Sequence, residues 1–225
     1  MITDYVKAAI DRRVTPDGKR WEKAVCDAIE SEWPVKDIKR LVDMSRLTLT
    51  ALDDVEGVAA MKALYNVSWA APLDAFVMAC ARWALEKGVA AAATIIDYTD
   101  MVWLPTKLNL PLAGRYGWVM VDEAQDLNRA QQEVVAKAIT PGGRMLAVGD
   151  VRQSIFLFGG ADAGAVARLK ERFAMRELPL SICYRCPKAV ADLAKRFVSQ
   201  IEAASGAPAG IVREVAEDEW MDDDL

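Results

Sequence analysis

The chain has 225 residues, enough for one large domain or two small ones with a sizeable core. Its composition, 53% hydrophobic and 27% charged, is that of a globular protein and not a disordered one. The net charge of −5 is unevenly placed: Glu217, Asp218, Glu219, Asp222, Asp223 and Asp224 outweigh it and leave residues 1–216 at +1, so charge neither supports nor excludes a polyanionic partner.

The absence of histidine excludes His-based catalysis and His-ligated metals. Cys26, Cys80, Cys183 and Cys186 are too sparse for a disulfide framework, and no signal peptide precedes them. The longest apolar runs fall far short of a membrane span, so a cytosolic protein with no membrane partner is expected.

In chain order, Trp21, Ala24, Val25, Ala28, Ile29 and Trp33 recur at helical spacing until Pro34 breaks the pattern. A second helix is predicted from Pro72 to a stop at Gly88, burying Leu73, Phe76, Val77, Cys80 and Trp83 on one stripe. The tryptophans of this half read as core, and no internal repeat is present. From about residue 94 the grammar changes. "GWVMVDE" (117–123) is a short β-rich run ending in acids, and "DLNRAQQEVVAKAI" follows as a helix with Asn128 and Gln131 spaced as a capping box. A "PGG" turn (141–143) leads to "RMLAVGD" (144–150), a second apolar run ending in an acid. A helix is predicted over 162–173. Another opens at Pro187, with Val190, Leu193, Ala194, Phe197, Val198 and Ile201 inward. Strands and helices alternating at these lengths imply an α/β fold with a parallel sheet and helices on both faces. Ligands bind beyond the carboxyl ends of such strands, where Asp122, Glu123 and Asp150 stand.

Two adjacent carboxylates at a strand's end, beside Gln125 and Asp126, suit a magnesium–phosphate site. One acid holds hydrated Mg²⁺ and its neighbour orients the attacking water. The alternative is a pair of acids at the N-terminus of the next helix, which favours negative charge.

"VDEAQD" (121–126), "VGDVRQSIFLFGGAD" (148–162) and "LPLSICYRCP" (178–187) together resemble motifs II, III and IV of the UvrD/Rep family of superfamily 1 DNA helicases, in the family's order and spacing. "DYTDM" (97–101) resembles the acidic-aromatic helix that the family places before its magnesium-binding strand. The resemblance runs from about residue 94 to 201. It implies a RecA-like, P-loop NTPase type of fold, incomplete here. Residues 1–93 would be a mostly helical, 1B-like subdomain, 94–175 the 1A core with motifs II and III, and 176–225 the start of a 2A-like domain with motif IV and the acidic tail. It implies ATP and Mg²⁺ as cofactors and single-stranded DNA as partner. Position by position, it assigns Asp122 to Mg²⁺, Glu123 to activation of the hydrolytic water, Gln125 and Asp126 to the nucleotide site, and Gln153 to sensing the γ-phosphate. Asp126 would bridge the ATP and DNA sites or cap a helix. Arg185 would be an arginine finger, and Phe156 and Phe158 would stack on bases, although an i, i+2 pair also suits a buried strand face. ATP would close the cleft between two RecA-like domains as the strand steps.

Some features depart from the family. A phosphate-cradling G-x-x-x-x-G-K-[ST] loop is absent; "RVTPDGKR" (13–20) has Arg13 in place of the first glycine and Arg20 in place of Ser or Thr, and reads as a turn. The late motifs are absent as well, so the expectation is a partial motor. It would be inactive alone and completed by a missing segment or a second polypeptide carrying the phosphate loop and the late motifs. Gly159 stands where the family often has arginine, and Cys183 and Cys186 form a CxxC whose metal ligation lacks further partners. Two other readings remain open: a degenerate, non-hydrolysing module that binds DNA or a partner, and a two-metal nuclease using Asp122, Glu123, Asp126 and Asp150.

Overall fold

The computed structural model describes residues 8, 23–31 and 34–214. Trp21, Trp33, the side chain of Ala24, the "RVTPDGKR" segment and the acidic tail lie outside the described residues. The chain divides into two compact units, 1–175 and 176–225.

The first unit begins with helices. α1 (Lys23–Ser31) gives way at Pro34, as the sequence implies, to α2 (Val35–Thr48). α3 (Val55–Leu64) starts at Asp54, whose carboxylate accepts the Gly57 N–H at 2.9 Å. A 3₁₀ turn at Ala71–Leu73 leads into α4 (Asp74–Ala91). Leu73, Phe76, Val77 and Cys80 are buried as expected, and they close a core with Ile38, Leu41, Met44, Met61 and Tyr65, while Trp83 is only half buried against it. The expected stop at Gly88 is not observed: α4 runs through it to Ala91. A helical glycine costs about 1 kcal/mol relative to alanine, too little to end a helix that the following alanines continue. α5 (Tyr98–Lys107) opens on a capping box formed by Asp97 and Asp100.

The α/β half follows. β1 (Tyr116–Val121) pairs in parallel with β2 (Ile139–Ala147), and the connecting helix α6 (Arg129–Ala138) carries the Asn128–Gln131 capping box read from sequence. The "PGG" turn lies inside β2, where the register jumps from Tyr116↔Ile139 to Trp118↔Arg144. α7 (Ala165–Arg172) starts three residues later than predicted, because the Asp162 carboxylate is taken up in side-chain bonds described below. Val121, Ala124 and Leu169 form the centre of this second core, with Val119, Met145, Ala147, Val135 and Phe173 around them.

The parallel sense and the crossover helix match the sequence pattern, but the extent does not. The sheet has two strands, and only one of its faces is covered among the described residues. Trp118, Met120 and Leu146 alternate with the packed residues and stay exposed.

The second unit holds another two-stranded parallel pair, β3 (Ile182–Cys183) and β4 (Glu202–Ala203), and the short helix α8 (Lys188–Ala194). The N–H groups of Lys188 and Ala189 donate to the carbonyls of Pro208 and Ala209, both at 2.9 Å. α8 stops short of the amphipathic stripe expected there. Ala191 is buried, but Val190, Leu193 and Phe197 are exposed, because the described residues of this small unit form no second layer over them. No described helix is long and apolar enough to cross a membrane.

Candidate functional site

β1 delivers Asp122 and Glu123 to the carboxyl edge of the small sheet, and β2 delivers Asp150 to the same edge. The chain must leave β1 sharply. Glu123 adopts a left-handed backbone (φ 48, ψ 45), which costs a non-glycine residue about 1–2 kcal/mol and is characteristic of functional turns. The turn is held by Ala124 N–H donating to Val148 O (2.9 Å) and Asp126 N–H to Glu123 O (2.9 Å).

Gln125 organises the site. Only 3% exposed, it donates from Nε2 to Glu123 Oε2 at 2.7 Å and more weakly to Asp126 Oδ2 at 3.4 Å. Its Oε1 accepts the Asp150 N–H at 3.0 Å, and its carbonyl accepts Ser154 Oγ at 3.4 Å. The Asp150 carboxylate in turn accepts Arg152 N–H and Gln153 Nε2, each at 3.0 Å. One buried amide therefore joins the acids after β1 to the loop after β2, and its own side chain is fully engaged within the chain.

Gly149 makes this bridge possible. A Cβ there would collide with Gln125 Oε1 and lie 3.1 Å from the Ala124 nitrogen. Gly149→Ala is expected to displace Gln125 and to destabilise the chain by about 1–3 kcal/mol, measured by denaturant unfolding. Unchanged stability would mean that the amide is free to swing aside.

Asp122 and Glu123 are exposed, and one Asp122 oxygen accepts the Glu123 N–H at 3.0 Å. Asp126 is half buried, and its Oδ1 is buried without a partner. This donor set fits a hydrated Mg²⁺, which keeps several waters and takes one or two carboxylates together with substrate phosphate. Among the described residues no three acids or cysteines gather closely enough to cage a metal. The four carboxylates of a two-metal site are thus not brought together, and Cys183 and Cys186 gain no third ligand.

Phe156 and Phe158 lie on a 3₁₀ turn (Phe156–Gly159), 48% and 69% exposed, with ring centroids 5.9 Å apart. The alternative of a buried strand face does not hold for them. Their turn is seated on α2: Arg40 Nη2 donates to Phe158 O at 2.5 Å, and left-handed Gly160 (φ 89) packs where a Cβ would meet Leu47 Cδ1 at 2.8 Å. Gly159 faces open space, so nothing steric excludes a larger residue there. Arg185, in the second unit, is exposed.

Several supporting residues were not legible in the sequence. Gly149 and Ser154 fall within the motif at 148–162 without a role read for them there, and Arg40 has no local signature. Nor has Arg46, 8% exposed, which ion-pairs with Asp43 (2.5 Å), Asp97 (3.0 Å) and Asp100 (2.8 Å) and so ties α2 to the "DYTDM" helix. Burial works against its charge, but Asp43 and Asp97 outweigh that and raise its pKa. Asp162 is a second buried junction, accepting bonds from Gln132, Arg168 and the Gly164 N–H. Burial alone would raise its pKa, yet these donors hold the carboxyl below its usual range.

Residues 38–174 match the profile of the UvrD/REP helicase N-terminal domain. The match starts inside α2 and ends within one residue of the first unit's boundary. The chain is also 33% identical over 125 residues to a subunit of the ATP-dependent helicase/nuclease of Exiguobacterium sibiricum, covering 50% of this chain and 10% of that protein. It is 32% identical over 102 residues to the ATP-dependent DNA helicase Rep of Escherichia coli, covering 42% and 15%. With Rep of Buchnera aphidicola it shares 30% over 88 residues, covering 36% and 14%. The chain thus spans only about a seventh or less of the length of these relatives. The resemblance read from the three motifs is borne out, and the profile brings with it a RecA-like fold of which two strands of the sheet are seen here. With a profile match over more than half its length, the chain belongs to the UvrD/REP helicase N-terminal domain family.

Proposed function

We propose that the chain is the hydrolytic and sensing part of an ATP-dependent DNA helicase or translocase of the UvrD/Rep type. Such a motor couples ATP hydrolysis to movement on single-stranded DNA in repair or replication. The observation that supports this reading is the Gln125 bridge, which couples Glu123 to the loop that carries Gln153, Phe156 and Phe158. In this scheme Asp122 holds Mg²⁺, which when bound offsets the charge of the phosphates. The exposed carboxylate of Glu123 orients the attacking water and accepts its proton. Gln153, tethered to Asp150, senses the γ-phosphate, and Phe156 and Phe158, three and five residues on, take up bases. Asp126, whose Oδ2 accepts the same amide and whose Oδ1 is unpartnered, would link the two sites. Arg185 supplies positive charge to the transferring phosphoryl group.

The sequence contains no phosphate-cradling loop. We assign that loop and the late motifs to a further segment or a second polypeptide, and the relatives named as subunits of a helicase/nuclease support a partner. Residues 1–93 would serve as the 1B-like insertion, 94–175 as the 1A core and 176–225 as the start of 2A.

The test is DNA-stimulated ATP hydrolysis by the chain, alone and with an added segment bearing the loop, with Glu123→Gln as control. The expected result is no turnover alone and turnover on addition that vanishes in the control. Turnover by the chain alone would overturn the need for an added loop. A second reading, a non-hydrolysing DNA-binding module, is favoured by the missing loop and the exposed aromatic pair. Failure of add-back with retained binding of single-stranded DNA would establish it. In both readings Phe156→Ala and Phe158→Ala should each weaken that binding about 5- to 150-fold, since a stacked base is worth about 1–3 kcal/mol.

A further inference from the structure

The turn between β3 and α8 carries a cysteine pair that the helicase reading leaves unused. Cys183 ends β3 and Cys186 precedes Pro187, the residue that opens α8, so the pair brackets Tyr184 and Arg185. The backbone of Cys183 is fixed, because its carbonyl accepts the Ala204 N–H at 3.0 Å beside the β3–β4 pairing. Only the bends at Tyr184 and Arg185 separate it from Cys186, so both thiols leave the same short turn. Both thiols are half buried, and neither is sealed off as Cys80 is, whose thiol burial pushes up to about 12. No third metal ligand joins them among the described residues, so the chemistry left to two thiols spaced C-x-x-C across one turn is that of a dithiol.

We propose that Cys183 and Cys186 form a reversible intramolecular disulfide by exchange with a low-molecular-weight disulfide of the glutathione type. The N–H groups of Cys186 and Arg185, followed by the Arg185 charge, lower the pKa of Cys183, while its partner's sulfur raises that of Cys186, so Cys183 is the attacking thiolate. It attacks one sulfur of the external disulfide, whose other half leaves as a thiolate and takes up a proton. Cys186 then loses its proton to solvent and attacks the Cys183 sulfur of the mixed disulfide, displacing the second external thiol. The two cysteines are oxidised by two electrons, and one external disulfide is reduced to two thiols. The closed ring would hold Arg185 in a fixed turn and so set its reach. That consequence rests on the proposed function, whereas formation of the bond does not.

The test equilibrates the whole chain with glutathione buffers of graded oxidised-to-reduced ratio. The expected result is loss of the mass of two hydrogen atoms as the ratio rises, a peptide map linking Cys183 to Cys186, and reversal on return to reduced buffer. The Cys183→Ser variant should show no such loss and at most one glutathione adduct on Cys186. Free thiols, or separate glutathione adducts on both cysteines, at the most oxidising ratio would overturn the proposal. If the bond forms and Arg185→Ala leaves hydrolysis untouched, the disulfide stands and the role given to Arg185 falls.

Discussion

Replacing Arg185 with alanine is expected to lower DNA-stimulated ATP hydrolysis by about 10³–10⁵ in the assembly completed by a phosphate-loop segment, the range by which an arginine aimed at a transferring phosphoryl group raises the rate. The loss should fall on kcat with little change in nucleotide KM, because the charge that the guanidinium meets develops mainly in the transition state. Arg185→Lys should recover little, since an ammonium cannot reproduce a planar, two-pronged contact. Binding of single-stranded DNA, assigned to Phe156 and Phe158 in the other unit, should be unaffected. Single-turnover hydrolysis with the unsubstituted chain and the two variants measured side by side checks this. A loss below about tenfold, or one confined to KM, would remove Arg185 from the chemistry.

What the sequence revealed and what it hid divide along chain separation. The Asn128–Gln131 capping box, β1 and the break at Pro34 are written in a few neighbouring residues and appear in the structure as read. The parallel sense of β1 and β2 follows from the helix between them. The extent of the sheet does not, because strand number depends on partners that no local pattern names. Gly88 and the Pro187 helix misled for opposite reasons: a helix tolerated its glycine, and an amphipathic stripe lacked a layer to face. At the site, Asp122, Glu123 and Gln153 could be aligned to motifs, but the bond that unites them spans 25 residues, from Gln125 to Asp150. Its enabling feature, a missing Cβ at Gly149, lies within a recognised motif, but the motif does not name the distant amide that needs the space.

A longer reach than the Gln125–Asp150 bond is the more consequential for stability. Arg46 and Asp97 are 51 residues apart, and the contact joins α2, which seats the Phe156–Gly159 turn, to α5. Arg46→Ala is expected to destabilise the first unit by about 3 kcal/mol, the lower end of what stranding a buried ion-pair partner costs. The lower end applies because Asp43 and Asp97 are 43% and 56% exposed and can rehydrate, whereas Asp100, at 9%, cannot. The guanidinium also lies 6.0 Å from the Trp103 ring centre, so the variant loses packing as well as charge. In a chain of this size the change corresponds to a fall in Tm of about 6–12 °C. If the stranded Asp100 is the main cost, adding Asp100→Asn to Arg46→Met should recover at least about 1 kcal/mol, because a neutral amide is cheaper to leave buried than a carboxylate. Denaturant unfolding of the single and double variants decides the matter. A cost below about 1 kcal/mol for Arg46→Ala, or no recovery in the double variant, would mean that water reaches Asp100 and that the two helices are held by their apolar faces alone.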